Sequence, residues 1–534
     1  MTQNETENVD ANVNGSVNEN VNTSNSGSVL DEKDKDFLYV KRMGIDTHQE
    51  PVVYMRKDCH VCRSEGFDAH SRVRITTSTG SIIATVSVVT NDSLSHQEIG
   101  LSESAWKRMN SQEGDKANLR HARPADSMSA VRAKMYGVNF TEESALEVVN
   151  DIVRGGYSDI ELAAFVSACA GNCLNTEEIT ALTHAMVGAG ERLHWKETVV
   201  LDKHCVGGLP GNRTTPIVVS IVVAAGLTMP KTSSRAITSP AGTADTMETL
   251  TNVHLTIDEM QHVVETVGGC IAWGGSVSLS PADDVLIRVE RGLDIDSEGQ
   301  LVASVISKKV AAGSTHVLID IPVGPTAKVR SEEYAKKLSQ QLIETGEALG
   351  LVVETVFTDG LQPVGNGIGP ALEARDLLQV LNNAKEAPQD LRRRSLMLAG
   401  KLLEIGGKAE SDRGYAEAEK ILDSGAALTS FVAICEAQGG LKIPPVARYQ
   451  HPIVSEQNGI VSYINNRLIS KLAKLAGAPA DQSAGVDFHV RLGTKVRAGE
   501  LLFTIHAQSP GELNYALDFL KNHDIGIKIE EESL

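Results

Sequence analysis

The chain is 534 residues long, enough for several domains with hydrophobic cores, and its 46 glycines and 41% apolar residues are typical of a soluble α/β protein. The net charge of −19 disfavours a nucleic-acid partner, because binding to a phosphate backbone needs basic surface. No apolar run is long enough to span a bilayer, and the N-terminus shows no secretory signal. We therefore expect a cytoplasmic protein with reduced cysteines and no membrane partner.

The N-terminal third begins with a polar segment. Residues 1–36 are rich in Asn, Ser and acidic residues, which predicts a disordered tail. Short alternating apolar runs then predict a small β-rich domain at residues 37–110. Cys59 and Cys62 have the spacing of half a zinc site, but no second pair follows, so we expect no metal.

Helix signals mark the next segment, and we expect a helical domain at residues 125–197. Ser158 and Asn175 each precede a glutamate by three positions, which is the pattern of a capped helix N-terminus. Leu146, Val149, Ile152 and Val153 follow the helical period and predict a buried stripe. An intramolecular core is favoured over a partner subunit as the surface that this stripe contacts.

From residue 198 short apolar strands alternate with helices, which predicts an α/β domain at residues 198–438 with a mostly parallel sheet. The strands are expected at residues 199–201, 317–321 and 351–357, and a helix at 332–348. A series of strands and glycine turns predicts a last α+β domain at 440–534. It resembles the barrel-sandwich fold of lipoyl-type domains.

Two loops in the α/β region have the composition of ligand sites. The first, residues 202–215, contains Lys203, Gly207 and Gly208, and precedes an apolar helix that Thr215 would cap. A helix N-terminus, glycines and a lysine suit an anion, although a tight turn without a ligand has the same pattern. The second loop, residues 231–243, combines several hydroxyls with an arginine, which supply donors for phosphate or sugar oxygens.

Three spaced strings resemble the thymidine and pyrimidine-nucleoside phosphorylase family. They are Asp-Lys-His-x-x-Gly-Gly at 202–208, Ser-x-Arg followed by Gly-Thr within 233–243, and Ala-Ser-x-x-x-Lys-Lys at 303–309. Fuller strings, at 210–212, 232–239, 241–245, 286–290 and 317–324, are closer to the AMP phosphorylase branch of that family. The resemblance covers the whole chain except the tail.

The resemblance implies a helical domain facing a mostly parallel α/β domain, with the active site in the cleft between them. It implies a homodimer that binds a small nucleoside or nucleotide and uses inorganic phosphate as co-substrate, with no further cofactor and no metal. Phosphate attacks the anomeric carbon of the sugar and the base departs. Such chemistry needs a phosphate held beside the sugar and a hydrogen-bond donor for the departing base.

Site residues are carried over from the family by motif position. The resemblance implies that three residues take part in catalysis: Asp296 as proton donor, His204 and Lys308. It implies a phosphate-binding set of Lys203, Cys205, Gly207, Gly208, Thr214, Ser233 and Thr243. It implies a nucleoside- or nucleotide-binding set of Gly208, Ser234, Arg235, Ala236, Ile237, Thr238, Ser239, Thr243, Ser304, Lys308 and Lys328.

Several interpretations stay open at this point. Cys205 stands where the family usually has serine, so either the other donors carry more of the phosphate binding or the substrate preference differs. Phosphorolysis of thymidine is the leading hypothesis and phosphorolysis of AMP the alternative. A phosphate- or nucleotide-binding protein without turnover is a second alternative. A nicotinamide or flavin enzyme using the glycines at 365–369 is a third, although Pro370 breaks that fingerprint.

Overall fold

The computed structural model describes residues 37–171, 173–236, 239–293, 295, 297–523 and 525–531. The tail predicted at 1–36 lies outside the described residues. The chain divides after Ala122 into two compact units.

The first unit is a closed β-barrel. Alternate residues of its strands, such as Leu38 and Val40, point inward and are buried, because successive side chains of a strand face opposite sides. The barrel order is β1-β5-β2-β4-β3-β6. Its elements are β1 (Phe37–Arg42), β2 (Val52–Arg56), α1 (His60–Glu65), β3 (Arg72–Thr76), β4 (Ser81–Val89), β5 (Glu98–Leu101), α2 (Glu103–Met109) and β6 (Lys116–His121).

Cys59 and Cys62 lie in the core of this barrel. The sulfur of Cys59 accepts a hydrogen bond from the backbone N–H of Cys62 at 3.2 Å and so caps α1. Among the described residues, no cluster of three or more His, Cys, Asp or Glu side chains is arranged to hold a metal ion.

The second unit begins with helices α3 (Met128–Met135), α4 (Glu142–Val153), α5 (Asp159–Cys169) and α6 (Thr176–Gly188). Ser158 and Asn175 cap α5 and α6 as predicted, each in a reciprocal bond with the glutamate three positions on. Val149 and Ile152 are buried, but the prediction for Leu146 was wrong because its side chain is 47% exposed. It lies on the outer face of α4, where the apolar stripe extends beyond the core.

Helices and mostly parallel strands follow, which confirms an α/β region beside a helical one. The central sheet has the order β11-β10-β7, and β8 and β9 form a second parallel pair. The elements are β7 (Leu201–Cys205), α7 (Thr214–Ala224), β8 (Met229–Ser233), α8 (Thr243–Glu248), α9 (Ile257–Val267), β9 (Gly269–Trp273), α10 (Pro281–Leu293), α11 (Glu298–Ala311), β10 (His316–Val323), α12 (Glu332–Ala348), β11 (Val352–Asp359), β12 (Gly367–Ile368), α13 (Pro370–Leu381), α14 (Gln389–Ile405), α15 (Gly414–Asp423) and α16 (Ala426–Ala437).

Two boundaries near the first loop differ from the prediction. The strand predicted at 199–201 instead begins at Leu201 and runs to Cys205, so the charged residues after it belong to the strand. They can do so because partners in the interior neutralise them. Helix α7 begins at Thr214 with Arg213 as its cap, rather than after Thr215. The helix predicted at 332–348 is α12, with the same ends.

The C-terminal part packs two antiparallel sheets with two helices. The sheets have the orders β12-β15-β17-β13 and β16-β14-β18. The additional elements are β13 (Tyr449–Val454), β14 (Gly459–Ile464), α17 (Asn466–Leu475), β15 (Gly485–Phe488), β16 (Lys495–Val496), β17 (Leu501–Ala507), α18 (Pro510–Asn522) and β18 (Ile527–Glu530). Within the described ranges, no helix combines the length and the apolar character needed to cross a membrane.

Candidate active site

A buried carboxylate joins the three elements that carry most of the predicted site residues. Asp202 on β7 is fully buried and accepts hydrogen bonds from Lys231 on β8 at 2.8 Å and Lys309 on α11 at 2.7 Å. Burial alone would raise the pKa of Asp202, but the two lysines outweigh it and hold the pKa below its usual value. Asp202 is therefore ionised and fixes β7, β8 and α11 relative to one another.

Lys203 follows Asp202 and points into the first loop. Its ammonium nitrogen donates to the hydroxyl of Thr214 at 2.7 Å, and the lysine is only 1% exposed. Thr214 is the first residue of α7, so its backbone N–H has no partner within the helix. A cation, a hydroxyl and a helix N-terminus thus meet at one place, which is the composition of an anion site.

The two glycines of the first loop allow a close approach of neighbouring backbone. Gly207 and Gly208 have φ values of +97° and +83°, a region that glycine adopts without strain. A Cβ at position 208 would collide with the backbone nitrogen of Lys328. Glycine at 208 therefore brings the first loop against the segment that carries Lys328.

Cys205 ends β7 beside this loop. Its sulfur accepts a hydrogen bond from the side-chain amide of Asn212 at 3.3 Å. Burial, reinforced by the nearby Asp320, raises the pKa of the Cys205 thiol to about 12. The sulfur is therefore a neutral thiol at physiological pH and a poor nucleophile.

His204 lies among four lysines. Burial and the charges of Lys309, Lys231, Lys308 and Lys203 lower the pKa of its imidazole well below the usual value. A neutral imidazole can donate one hydrogen bond but carries no charge. His204 follows Lys203 on β7, the strand that Asp202 joins to α11.

The second loop is ordered by Asp245. This carboxylate accepts the backbone N–H groups of Ala236 at 2.6 Å and Gly242 at 2.8 Å, and it pairs with Arg235 at 2.9 Å. Arg235 also pairs with Glu248 and lies over the ring of Trp273. In this arrangement the guanidinium of Arg235 stabilises the loop that carries it.

Ser233 and Thr243 flank the second loop. The hydroxyl of Ser233 donates to the backbone carbonyl of Ala272 at 3.0 Å, on the neighbouring strand β9. The hydroxyl of Thr243 accepts from Arg213 at 2.8 Å, and Arg213 belongs to the first loop. The two loops are therefore joined directly by this hydrogen bond.

Ser304 and Lys308 share one face of α11. The Lys308 ammonium donates to the Ser304 hydroxyl at 3.2 Å and pairs with Asp283 of α10 at 2.5 Å. The side chain of Lys308 is 30% exposed, whereas that of Lys309 is 3% exposed and pairs with Asp202. Of the two lysines, only Lys308 can reach a ligand.

A cavity of about 360 Å³ opens beside the first loop. It is lined by Val206, Ser297, Leu301, Lys328, Val329, Arg330, Tyr334 and Leu338. Its walls are apolar on the side of Leu301 and Tyr334 and cationic at Lys328 and Arg330. Apolar and cationic walls suit a ligand that combines a flat apolar group with an anionic group.

Three predicted residues, Asp296, Ile237 and Thr238, lie outside the described residues. Sequence reasoning assigned no role to Arg213, Asp202 or Asp283. Each of these acts through a partner distant in the chain, such as Glu373 for Arg213. The only sequence signal for Asp202 is its position next to Lys203 in the conspicuous string.

Comparison with family models identifies three domains in the chain. The α/β domain of the glycosyl transferase family matches residues 197–428, its helical bundle domain matches 128–190, and the pyrimidine nucleoside phosphorylase C-terminal domain matches 460–527. A relative from Hahella chejuensis, named "Putative thymidine phosphorylase", is 65% identical over 505 residues that cover 95% of this chain and all of that protein. The chain belongs to the thymidine and pyrimidine-nucleoside phosphorylase family.

Other relatives carry the same name. One from Polaromonas sp. is 57% identical over 93% of this chain and 97% of its own length, and one from Legionella pneumophila is 54% identical over 96% and 99%. The chain is accordingly a pentosyltransferase, and inorganic phosphate is the co-substrate of its family.

Proposed function

We propose that the chain catalyses phosphorolysis of thymidine, giving thymine and 2-deoxyribose 1-phosphate. The observation that carries the proposal is the bond of Asp202 to Lys309, which joins β7 with its Lys203 to α11 with its Lys308. Lys203, Thr214 and the N-terminus of α7 supply the phosphate side, and Lys308 with Ser304 supplies the base side. The names of the relatives agree with this substrate.

The reaction is a displacement at the anomeric carbon. A phosphate oxygen forms the new C–O bond, and the bond between the sugar and the base breaks with its electron pair moving to the base. The phosphate is held by Lys203 and by the hydroxyls of Thr214, Ser233 and Thr243. Cys205, Gly207 and Gly208 belong to the first loop and contact the phosphate there. The cation and hydroxyls place the nucleophile near the sugar before reaction, which lowers the entropic cost of the step.

The departing base needs stabilisation of its negative charge. Lys308 and Ser304 donate to the base, and neutral His204 adds one further hydrogen bond. Asp296 is proposed as the proton donor by resemblance, and it precedes Ser297, the cap of α11. The second loop, residues 234–239, together with Thr243 and Lys328, contacts the sugar side of the substrate.

Phosphorolysis of a nucleoside 5′-monophosphate such as AMP is the second candidate. It is supported by the cavity lined by Lys328 and Arg330, two cations that suit a 5′-phosphate. The strings near 232–245 also resemble the AMP branch.

We also propose that the chain is a cytoplasmic homodimer. The cleft between its helical and α/β regions closes around the substrates. Tyr136, Val138 and Ile160 are 89%, 58% and 83% exposed, which supports contact between two copies through the helical region. The C-terminal residues 440–534 are proposed to form a barrel-sandwich-like domain.

Chromatographic detection of the free base tests the proposal. The purified chain is incubated with thymidine, uridine, cytidine or AMP, each with and without inorganic phosphate. Thymine released only with phosphate, with AMP untouched, is the expected result. Adenine from AMP alone would move the chain to the nucleotide reaction. Failure to release any base would contradict both and leave a binding protein without turnover.

A further inference from the structure

Arg213 joins the two predicted phosphate-binding loops from the interior. It is 9% exposed and occupies the N-cap position of α7, without a side-chain capping bond, at the end of the first loop. Its guanidinium donates to the hydroxyl of Thr243 at 2.8 Å and to the carbonyl of Ala241 at 2.8 Å, both at the end of the second loop. One side chain thus sets the spacing between the two loops.

The bond to Thr243 also fixes the role of that hydroxyl. Arginine has donors and no acceptor, so Thr243 Oγ1 must be the acceptor in this pair. Its own hydrogen is directed elsewhere and can be donated to a ligand. Thr214 is in the same situation, because its oxygen accepts from the ammonium group of Lys203. Both threonines are thereby prepared as donors, which is what an anion requires.

Glu373 on α13 holds the other edge of Arg213. Its carboxylate accepts from Arg213 Nε at 2.6 Å, from the hydroxyl of Thr246 at 3.0 Å and from the backbone N–H of Gly369 at 3.3 Å. Glu373 is 1% exposed, so the pair is shielded from solvent. The additional hydrogen bonds restrict the Glu373 carboxylate, and its bond to Arg213 then fixes the orientation of the guanidinium.

We propose that Arg213 is a positioning residue for phosphate: anchored by Glu373, it orients the Thr243 hydroxyl as a donor to the phosphate and holds the two loops at the spacing the anion needs. Arg213 itself contacts no substrate in this account. The inference rests on the proposed function, because it assigns a use to the phosphate site of that reaction.

The experiment is a double-mutant cycle read out by the KM for inorganic phosphate and, separately, the KM for the nucleoside. The variants are Arg213→Met, Thr243→Val and the double variant. Each single change is expected to raise the phosphate KM by about 10- to 100-fold, the range for a hydrogen bond to a charged group. The nucleoside KM should rise less than the phosphate KM, because Thr243 is assigned to both substrates whereas the loop spacing set by Arg213 serves the phosphate. The double variant should raise the phosphate KM by less than the product of the two single effects, because part of the effect of Arg213 is exerted through Thr243.

Two further variants separate positioning from folding. Arg213→Lys keeps the charge and can restore part of the phosphate affinity, and it replaces Arg213→Met in the cycle if that variant does not fold. Arg392→Met is the matched control, because Arg392 pairs with Glu419 and Asp423 away from both loops. Thermal unfolding of each variant reports its folding independently of activity.

The outcomes are distinguishable. Independent, multiplicative effects of the two substitutions on the phosphate KM would overturn the proposal, as would equal losses of nucleoside and phosphate affinity. If the unmodified chain releases no base from any nucleoside or nucleotide, the proposed function fails instead. Phosphate binding measured directly by calorimetry would then still test Arg213, with the same cycle of variants.

Discussion

Lys203 and Thr214 are 11 positions apart in the chain, yet the ammonium nitrogen of the one lies 2.7 Å from the hydroxyl oxygen of the other. The contact brings a strand and the first turn of a helix together at the place where a phosphate is proposed to bind. The lysine is buried, so its charge is directed to this place and is little screened by solvent.

Replacing Lys203 by methionine removes the charge while keeping a side chain of similar length. The variant should lose about 10- to 100-fold in kcat/KM for phosphate, because a charge-assisted hydrogen bond is lost. Steady-state kinetics with phosphate as the varied substrate measures the effect. Lys521→Met, which alters an exposed pair with Asp518, is the control and should behave as the unmodified chain. A Lys203→Met enzyme with normal phosphate kinetics would contradict the assignment.

Asp202→Asn tests whether the buried carboxylate of Asp202 holds β7, β8 and α11 together. Removing this charge leaves Lys231 and Lys309 without their counter-ion, so the free energy of unfolding should fall by about 3–5 kcal/mol. Urea unfolding measures the change. Asp518→Asn breaks an exposed pair and should cost less than about 1 kcal/mol. A similar small loss for Asp202→Asn would show that the three elements are held together by other contacts.

Cys205→Ser tests whether the thiol takes part in the chemistry. Because the pKa of Cys205 is about 12, the thiol is protonated at neutral pH and is not expected to attack substrate. Serine is a stronger hydrogen-bond donor, so kcat should stay within about threefold and the phosphate KM should fall or remain the same. Steady-state assays at pH 7 check both values. A loss of more than about 100-fold would indicate a covalent role for the sulfur.

The lowered pKa of His204 predicts how the reaction rate depends on pH. Its pKa is lowered, so the ring is already neutral at pH 6.5 and takes up a proton only at lower pH. The rate should therefore not decline as pH rises from 6 to 8 through loss of a proton from His204. His204→Asn, which keeps a neutral donor, should lower kcat by a factor that is constant over this range. A decline near pH 6.5 in the unmodified enzyme that is absent from His204→Asn would show that the charged ring is used.

Local features of the site and fold could be predicted from sequence. Ser158 and Asn175 were correctly predicted to cap helices, because a cap and its partner are three residues apart. The pairing of Ser304 with Lys308 followed from helical spacing. These interactions lie within one turn of helix, so their geometry is set by the chain itself.

Long-range features could not be predicted. Asp202 meets Lys309 across 107 positions, and Arg213 meets Glu373 across 160, so no local pattern signals either pair. The strand boundary at Leu201 was misplaced for the same reason, since charged residues enter a strand only where distant partners neutralise them. Leu146 shows the converse, because an apolar period does not reveal where the core ends.

Phosphorus NMR of the reaction mixture tests the central claim most directly. The unmodified chain is incubated with thymidine and inorganic phosphate, and thymine is quantified in the same samples. Our account predicts that each thymine released is matched by one phosphate consumed and one sugar 1-phosphate formed, and that Lys203→Met slows all three changes equally. Thymine release without consumption of phosphate would show hydrolysis instead and would contradict the phosphate site described here.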